Sequence, residues 1–217
     1  MTRLRALTLG CVALALAAYV IPGDRVVREV ARVRASAVPL RVEAQLEDVA
    51  PDEQRALVIE LHPSHGARIQ DDRGARWLPR AGEVLAPAGV DIPVWIPPAD
   101  VLALAREDLL LAWLSGAGVN LSWSRLARCG DVDCIALGEA EARAQLWVDK
   151  DRFEVRRVSL AAGRSVGFEG WRDWAGRRFP ERMRAAESDA PLGTLRVTAV
   201  RAAPELSRAD FSEAWLR

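Results

Sequence analysis

Three pairs of side chains have the types and the close spacing that acid–base catalysis or metal binding uses. They are His62 and His65, Asp131 and Asp133, and Asp149 and Asp151. Paired carboxylates can act as general acid and base, and imidazoles bind zinc. Each pair nevertheless lies in a segment with the composition of a turn, where aspartate is common because its side chain hydrogen-bonds the nearby backbone. We therefore interpret the two histidines as residues of a solvated loop and the four aspartates as turn residues, with no catalytic role and no metal site.

The enzyme classes with short signature motifs find no match in the sequence. It contains no Gly-x-Ser-x-Gly elbow, no His-Glu-x-x-His, no phosphate loop and no dinucleotide fingerprint. Thirty basic residues balance thirty acidic ones, so the overall charge does not favour binding to nucleic acid or to an anionic membrane surface. The sequence predicts a protein that is not an enzyme, needs no cofactor and binds no nucleic acid.

Two cysteines bracket a short turn-like segment. Cys129 and Cys134 are separated by the residues Gly-Asp-Val-Asp, and an oxidising compartment would allow a small disulfide between them. A metal site would need more ligands nearby, and a redox-active pair usually has the spacing Cys-x-x-Cys. We favour a disulfide that staples this loop, with the metal site and the redox pair as alternatives.

Residues 1–18 have the pattern of a secretory signal peptide. Arg3 and Arg5 give a positive start, residues 7–16 are apolar, and small alanines follow for cleavage near Ala17 or Ala18. The apolar run is shorter than the roughly 20 residues that span a bilayer. Cys11 offers an alternative, because a cysteine in a signal sequence can be the lipidated first residue of a bacterial lipoprotein. We favour cleavage, and hence an exported protein.

A β-hairpin is predicted over residues 144–158, and its turn contains Asp149 and Asp151. Two runs of strand-forming residues flank the charged turn at residues 149–151. Because side chains alternate along a strand, Leu146 and Val148 share one apolar face, while Trp147 lies on the other. Several further short strands with short links predict an antiparallel sheet.

Two helices complete the predicted architecture. A helical stripe begins near Asp24, and a second helix, rich in large apolar residues, runs from Asp100 to about Ser115. Between them, residues 86–98 contain five prolines and glycines, which indicates an exposed connection. The fold class is therefore α+β and mainly β, with one antiparallel sheet and helices covering one face.

Short motifs in the C-terminal half resemble those of the LolA/LolB-type bacterial lipoprotein carriers. Residues 145–151 are QLWVDKD, residues 134–138 are CIALG, residues 176–183 are GRRFPERM with a Gly-x-x-Phe-Pro element, and Asp210 precedes Phe211. The resemblance implies a single domain over residues 19–217, built as an unclosed half-barrel with helices over its concave face. It implies a monomeric periplasmic carrier that shields the acyl chains of a lipoprotein or related lipid, and that meets partners at the inner and outer membranes.

For such a carrier we predict a lipid-binding surface shared by the second helix and the sheet. Its residues are Leu102, Leu109, Leu110 and Trp113 from the helix, and Leu146, Val148, Phe168 and Met183 from the strands. Taken singly, each of these residues is also typical of an ordinary core. The alternative function is a lipid-sensing or regulatory binding protein with the same fold and no transport.

Overall fold

The computed structural model describes residues 21–139, 144–160 and 163–217, so the predicted leader at residues 1–18 lies outside the described chain. Within these ranges the α-helices are α1 (Gly23–Val33), α2 (Asp100–Ala103) and α3 (Glu107–Gly116). The strands are β1 (Leu40–Glu47), β2 (Ala56–His62), β3 (Gly66–Asp71), β4 (Arg76–Arg80), β5 (Glu83–Leu85), β6 (Ser124–Cys129), β7 (Val132–Leu137), β8 (Gln145–Asp149), β9 (Val155–Ser159), β10 (Arg164–Glu169), β11 (Arg172–Asp173), β12 (Arg178–Phe179), β13 (Arg182–Glu187) and β14 (Ala190–Ala202). Two 3-10 turns, Arg208–Phe211 and Glu213–Leu216, follow the last strand.

Twelve of these strands form one antiparallel sheet. Their order is β5-β4-β3-β2-β1-β14-β13-β10-β9-β8-β7-β6. The first and last strands of the described chain, β1 and β14, therefore pair with each other near the centre of the sheet. In the described chain the edge strands β5 and β6 do not pair with each other, and the sheet stays open. Strands β11 and β12 form a separate two-stranded ribbon.

The two faces of the sheet differ because side chains alternate along each strand. On the concave face, buried residues stay in register between neighbouring strands: Val42 lies opposite Ile59, which lies opposite Ile69, and in the predicted hairpin Leu146 lies opposite Val158. Each fully buried aliphatic side chain contributes about 1.5–3 kcal/mol. The opposite face, called the outer face below, carries on β1 the residues Arg41, Glu43, Gln45 and Glu47.

The helices cover the concave face. Helix α1 buries Val26, Val27 and Val30, spaced for one side of a helix, and α3 buries Leu110 and Trp113 in the same hydrophobic cluster as the strands. Within the described residues, no helix combines the length and apolar character that a membrane span requires. The predicted fold class is confirmed: mainly β, with an antiparallel, unclosed half-barrel and helices over its concave face.

The predicted single helix over residues 100–115 is wrong, because the segment forms two helices with a break between them. Leu104 ends α2 in an extended conformation (φ −59°, ψ 122°). The Ala105 amide then donates to the Pro63 carbonyl (3.0 Å), a contact with the loop between β2 and β3. The break is thus fixed by residues that lie far away in the sequence.

The predicted exposed connection over residues 86–98 is wrong for its last residues. Trp95 and Ile96 are 6% and 0% exposed, and the two prolines after them are also buried. Trp95 packs edge-on against Trp77, with ring centroids 6.1 Å apart, and the Arg164 guanidinium donates to the Ile96 carbonyl. Proline suits such a buried segment because it has no backbone N–H to leave unpaired.

Candidate functional site

The candidate site lies where α2 and α3 cover the concave face. We call residues 99–116, which include both helices, the lid. The structure brings all the predicted lipid-binding residues into contact with one hydrophobic cluster. Leu110, Trp113, Leu146, Val148, Phe168 and Met183 are at most 4% exposed, and Leu102 and Leu109 are half-buried. In this state the concave face is filled by the protein's own side chains.

A cavity of about 290 Å³ opens beside the lid, and we call it the mouth. It lies between the end of α1 with the loop after it, α2, the β8–β9 turn and the β11–β12 ribbon. Its apolar lining consists of Val33, Val38, Leu40, Leu102, Phe153, Trp171 and Phe179. Ligand pockets usually measure about 300–1,000 Å³, so the mouth admits part of an acyl chain, and a longer chain must displace core side chains. Of the predicted lipid-binding residues, Leu102 lines the mouth.

Two larger grooves lie on the outer face. One, of about 620 Å³, is lined by charged side chains such as Arg157 and Arg184, and the other, of about 650 Å³, by side chains such as Glu60 and Arg68. The mouth also has charged residues in its lining, but large apolar side chains make up a greater share of its lining than of either groove. Because burial of an acyl chain requires apolar surface, the mouth is the better candidate despite its smaller volume.

Arg34 fastens the lid to the end of α1. Its Nη1 donates to the carbonyls of Val101 (2.6 Å), within α2, and of Leu104 (3.1 Å), directly after α2. Its Nη2 is buried and has no hydrogen-bond partner among the described residues. Burial lowers the pKa of Arg34 to about 10, so the group stays charged at neutral pH. The sequence marked Arg34 only as one of several polar residues around the α1 stripe.

Asp100 holds the lid from the other side. Its carboxylate accepts hydrogen bonds from the Trp113 indole N–H (2.7 Å), from the Ala81 amide (2.9 Å) and from the Val101 amide (3.2 Å). Asp100 is 3% exposed, and burial raises the pKa of its carboxyl although these donors oppose the rise. The carboxylate therefore links α2 to α3 and to the β4–β5 turn, and it satisfies the buried indole N–H of Trp113.

Charged side chains build the far wall of the mouth. Glu154, 9% exposed, accepts from Arg178 (2.8 Å) and Arg156 (3.0 Å) and so anchors the β11–β12 ribbon to the hairpin. Asp149 accepts from the amides of residues 151 and 152 and from Arg156 (2.7 Å). Burial opposes ionisation of Asp149, but these donors outweigh it and lower its pKa. Asp149 therefore shapes the turn that presents Phe153 to the mouth, as predicted for a turn residue.

The other candidate pairs do not form a site with the mouth. The rings of His62 and His65 stack with centroids 4.3 Å apart, beside Phe211, and burial lowers the pKa of His62. Asp133 is exposed and lies 3.9 Å from Arg128. In the ranges that the structure describes, no group of three or more His, Cys, Asp or Glu residues is arranged to hold a metal ion.

Cys129 and Cys134 lie on the paired strands β6 and β7 and carry free thiols in this structure. The two thiols hydrogen-bond to each other. This contact is the main cause of the lowered pKa of Cys129 and of the raised pKa of Cys134. The predicted disulfide between them remains a prediction, and the pair is already adjacent for it.

Solved structures share this fold. A LolA superfamily protein from Nitrosomonas europaea superposes with a TM-score of 0.56 at 13% identity, over 90% of this chain and 100% of that one. A putative outer membrane lipoprotein-sorting protein domain from Vibrio parahaemolyticus gives 0.52 at 12% identity, over 89% and 97% of the two chains. No protein-family model and no curated protein matches the sequence. The chain therefore has the fold of the LolA superfamily, as the sequence motifs predicted.

Proposed function

We propose that this protein is a periplasmic carrier that shields the acyl chains of a lipoprotein or related lipid during transfer toward the outer membrane. The observation that carries the proposal is an apolar mouth beside a lid that is tied down by a few polar contacts. The shared fold with a protein described as lipoprotein-sorting supports the same class of cargo. In this proposal the protein acts as a monomer, catalyses no reaction and needs no cofactor.

The free energy gained by burying an acyl chain is similar in size to the free energy lost when the Arg34 contacts of the lid are released. Burying about ten methylenes removes apolar surface worth about 8 kcal/mol. Hydrogen bonds to a charged group contribute about 1.5–3 kcal/mol each, so releasing both contacts of Arg34 costs at most about 3–6 kcal/mol. The acyl chain thus gains more than the Arg34 contacts lose. For the lid to open, the Asp100 contacts must also be kept, and the buried side chains of the lid must exchange their core contacts for contacts with the cargo.

The eight predicted lipid-binding residues take a double role in this proposal. In the empty protein they fill the concave face, which keeps apolar surface out of water. In the loaded protein, Leu102 would meet the acyl chain first, because it lines the mouth. Leu109, Leu110 and Trp113 would then move with the lid, and the strand residues would form the floor of the widened cavity.

Export fits the same function. A carrier that works between two membranes must leave the cytoplasm, and the predicted signal peptide at residues 1–18 would direct that step. In that compartment we expect Cys129 and Cys134 to form the predicted disulfide, since the environment is oxidising. Partners at the inner and outer membranes would load and unload the cargo.

A matched pair of variants tests the proposal with an acyl chain that carries an environment-sensitive fluorophore. Leu102→Asp places a charge in the mouth, whereas Val58→Asp places the same charge on the outer face, where Val58 is 39% exposed. We expect the unmodified protein and Val58→Asp to bind the probe, and Leu102→Asp to bind it at least about tenfold more weakly, because the change removes apolar lining and places a polar group against the acyl chain. Thermal melts confirm that both variants fold.

Two outcomes would count against transport. If the unmodified protein takes up no acyl probe, the apolar face is an ordinary core. If it binds a specific protein partner without lipid, the regulatory alternative with the same fold is favoured.

A further inference from the structure

The rim of the mouth carries an excess of positive charge. Four arginines line this cavity, Arg34, Arg152, Arg177 and Arg178, against a single carboxylate, that of Glu154. This local excess contrasts with the whole chain, in which thirty basic residues balance thirty acidic ones. The charge is therefore concentrated at the place where a ligand would enter.

The single carboxylate is already engaged. Glu154 accepts from both Arg178 and Arg156, and it lies 9% exposed between them. It therefore neutralises Arg178 and leaves nothing for the other arginines of the mouth. Among the residues that the structure describes, the side chains of Arg152 and Arg177 make no ion pair or hydrogen bond.

Arg34 adds a buried donor to this set. Its Nη1 is used by the lid carbonyls, but its Nη2 is buried and unpartnered within the described chain. A buried donor without an acceptor costs free energy, and a buried cation without a counter-ion costs more. An anionic group in the mouth would bring a counter-charge to this uncompensated guanidinium, which belongs to a residue of the cavity wall.

We propose, building on the carrier function above, that the mouth selects amphiphiles in which an acyl chain ends in an anionic headgroup, a carboxylate or a phosphate. The chain lies against the apolar lining, with Leu102 and Phe153 at the entrance. The headgroup stays at the rim, where Arg152 and Arg177 bind it, and the positive charge of Arg34 in the inner wall attracts it.

Arginine suits this task for two physical reasons. The planar guanidinium presents paired N–H donors that match the oxygens of a carboxylate or phosphate. The apolar walls beside the rim reduce the competition from water, which strengthens each charge-assisted hydrogen bond. A neutral headgroup on the same acyl chain would gain the apolar contacts but would leave the arginines unpaired.

Three amphiphiles with the same acyl chain test the proposal: palmitate, palmitoyl lysophosphatidylglycerol and the neutral glycerol monoester of palmitate. Their affinities are measured below their critical micelle concentrations by displacement of a fluorescent acyl probe. The variant is the double replacement Arg152→Gln and Arg177→Gln. The control is Arg208→Gln, an exposed arginine in the C-terminal 3-10 turn that is absent from the mouth lining.

We expect at least one anionic amphiphile to bind about tenfold or more tightly than the neutral monoester, since one hydrogen bond to a charged group corresponds to about a tenfold change in affinity. The double variant should lose that preference while keeping its affinity for the monoester, and Arg208→Gln should keep both. Tighter binding of palmitate identifies a carboxylate headgroup, and tighter binding of the lysophospholipid identifies a phosphate.

Equal affinity for all three amphiphiles in the unmodified protein would overturn the proposal but leave the carrier function intact. An anion preference that survives in the double variant would also overturn it, because residues other than Arg152 and Arg177 would then bind the headgroup. If none of the three amphiphiles binds, the carrier function itself fails, and this inference fails with it.

Discussion

Replacing Arg34 by methionine should loosen the lid without unfolding the protein. The change keeps an unbranched side chain and removes the guanidinium that donates to the carbonyls of Val101 and Leu104. Two hydrogen bonds from a charged group contribute about 3–6 kcal/mol in total. Burial of the cation offsets part of this, since the fall in the pKa of Arg34 from 12.5 to about 10 corresponds to about 3 kcal/mol. The net effect on lid closure therefore lies between about 0 and 3 kcal/mol, and its midpoint of about 1.5 kcal/mol corresponds to roughly a tenfold rise in the open population.

Hydrogen exchange of the lid, residues 99–116, measures this change. We expect the amides of α2 and of the break after it to exchange roughly tenfold faster in Arg34→Met, and an acyl probe to enter faster by a similar factor. Arg32→Met is the matched control, because Arg32 lies in the last turn of α1 but is exposed and pairs with Glu29 (2.6 Å). Equal exchange of the lid in the two variants would refute the idea that Arg34 fastens it.

Three further predictions concern stability and redox state. Burial raises the pKa of Asp100, so the folded protein holds the proton on this carboxyl at pH values where the unfolded chain has released it. The protonated carboxyl therefore contributes to the free energy of unfolding at acid pH. That contribution is lost as the pH rises from 3.8 through the raised pKa. Asp100→Asn should therefore gain stability relative to the unmodified protein between about pH 3 and pH 7 in denaturant titrations, and a constant difference would contradict this. Trp95→Ala should cost about 3–5 kcal/mol, whereas Val94→Ala, at a residue 52% exposed, should cost less than about 0.5 kcal/mol; similar melting temperatures would show that residues 95–98 are not part of the core. Oxidation by diamide should join Cys129 to Cys134, detected by peptide mass mapping as the loss of two hydrogens, and alkylation of both thiols after export and oxidation would contradict the predicted disulfide.

The elements that a local pattern specifies were predictable from the sequence. Alternation placed Leu146 and Val148 on the buried face of the hairpin, and both are at most 1% exposed. The helical stripe of α1 was visible for the same reason, because Val26 and Val30 repeat at the helical period. Short links then left an antiparallel sheet as the natural arrangement. These features depend on neighbours in sequence, which the sequence itself displays.

The features that were missed depend on contacts between distant segments. Arg34 lies 67 residues before Val101, and nothing in its local pattern separates it from the exposed arginines of α1. The break in the lid depends on the carbonyl of Pro63, and the buried segment around Trp95 depends on Trp77 and on the guanidinium of Arg164. The apolar content of residues 94–96 was a usable signal, but the surrounding prolines and glycines outweighed it.

The lining of the mouth also combines residues that a local pattern predicted with residues that only the folded structure brings together. Leu102 was predicted because it belongs to an apolar helix, whereas Phe153 and Trp171 come from a turn and a loop whose sequences carry no periodicity. Four segments that are distant in sequence line this cavity, and they come together only when the lid and the β11–β12 ribbon pack in the folded protein. Sequence reasoning therefore found the apolar surface but did not find its entrance.

The most direct test of the proposed carrier function is native mass spectrometry, combined with lipid extraction, on the protein purified gently from the cells that produce it. We predict that a fraction of the protein carries an acylated molecule, and that this mass disappears in Leu102→Asp but persists in Val58→Asp. A protein that is free of bound lipid in both the unmodified and the control forms, and that takes up no acyl probe afterwards, would contradict the account.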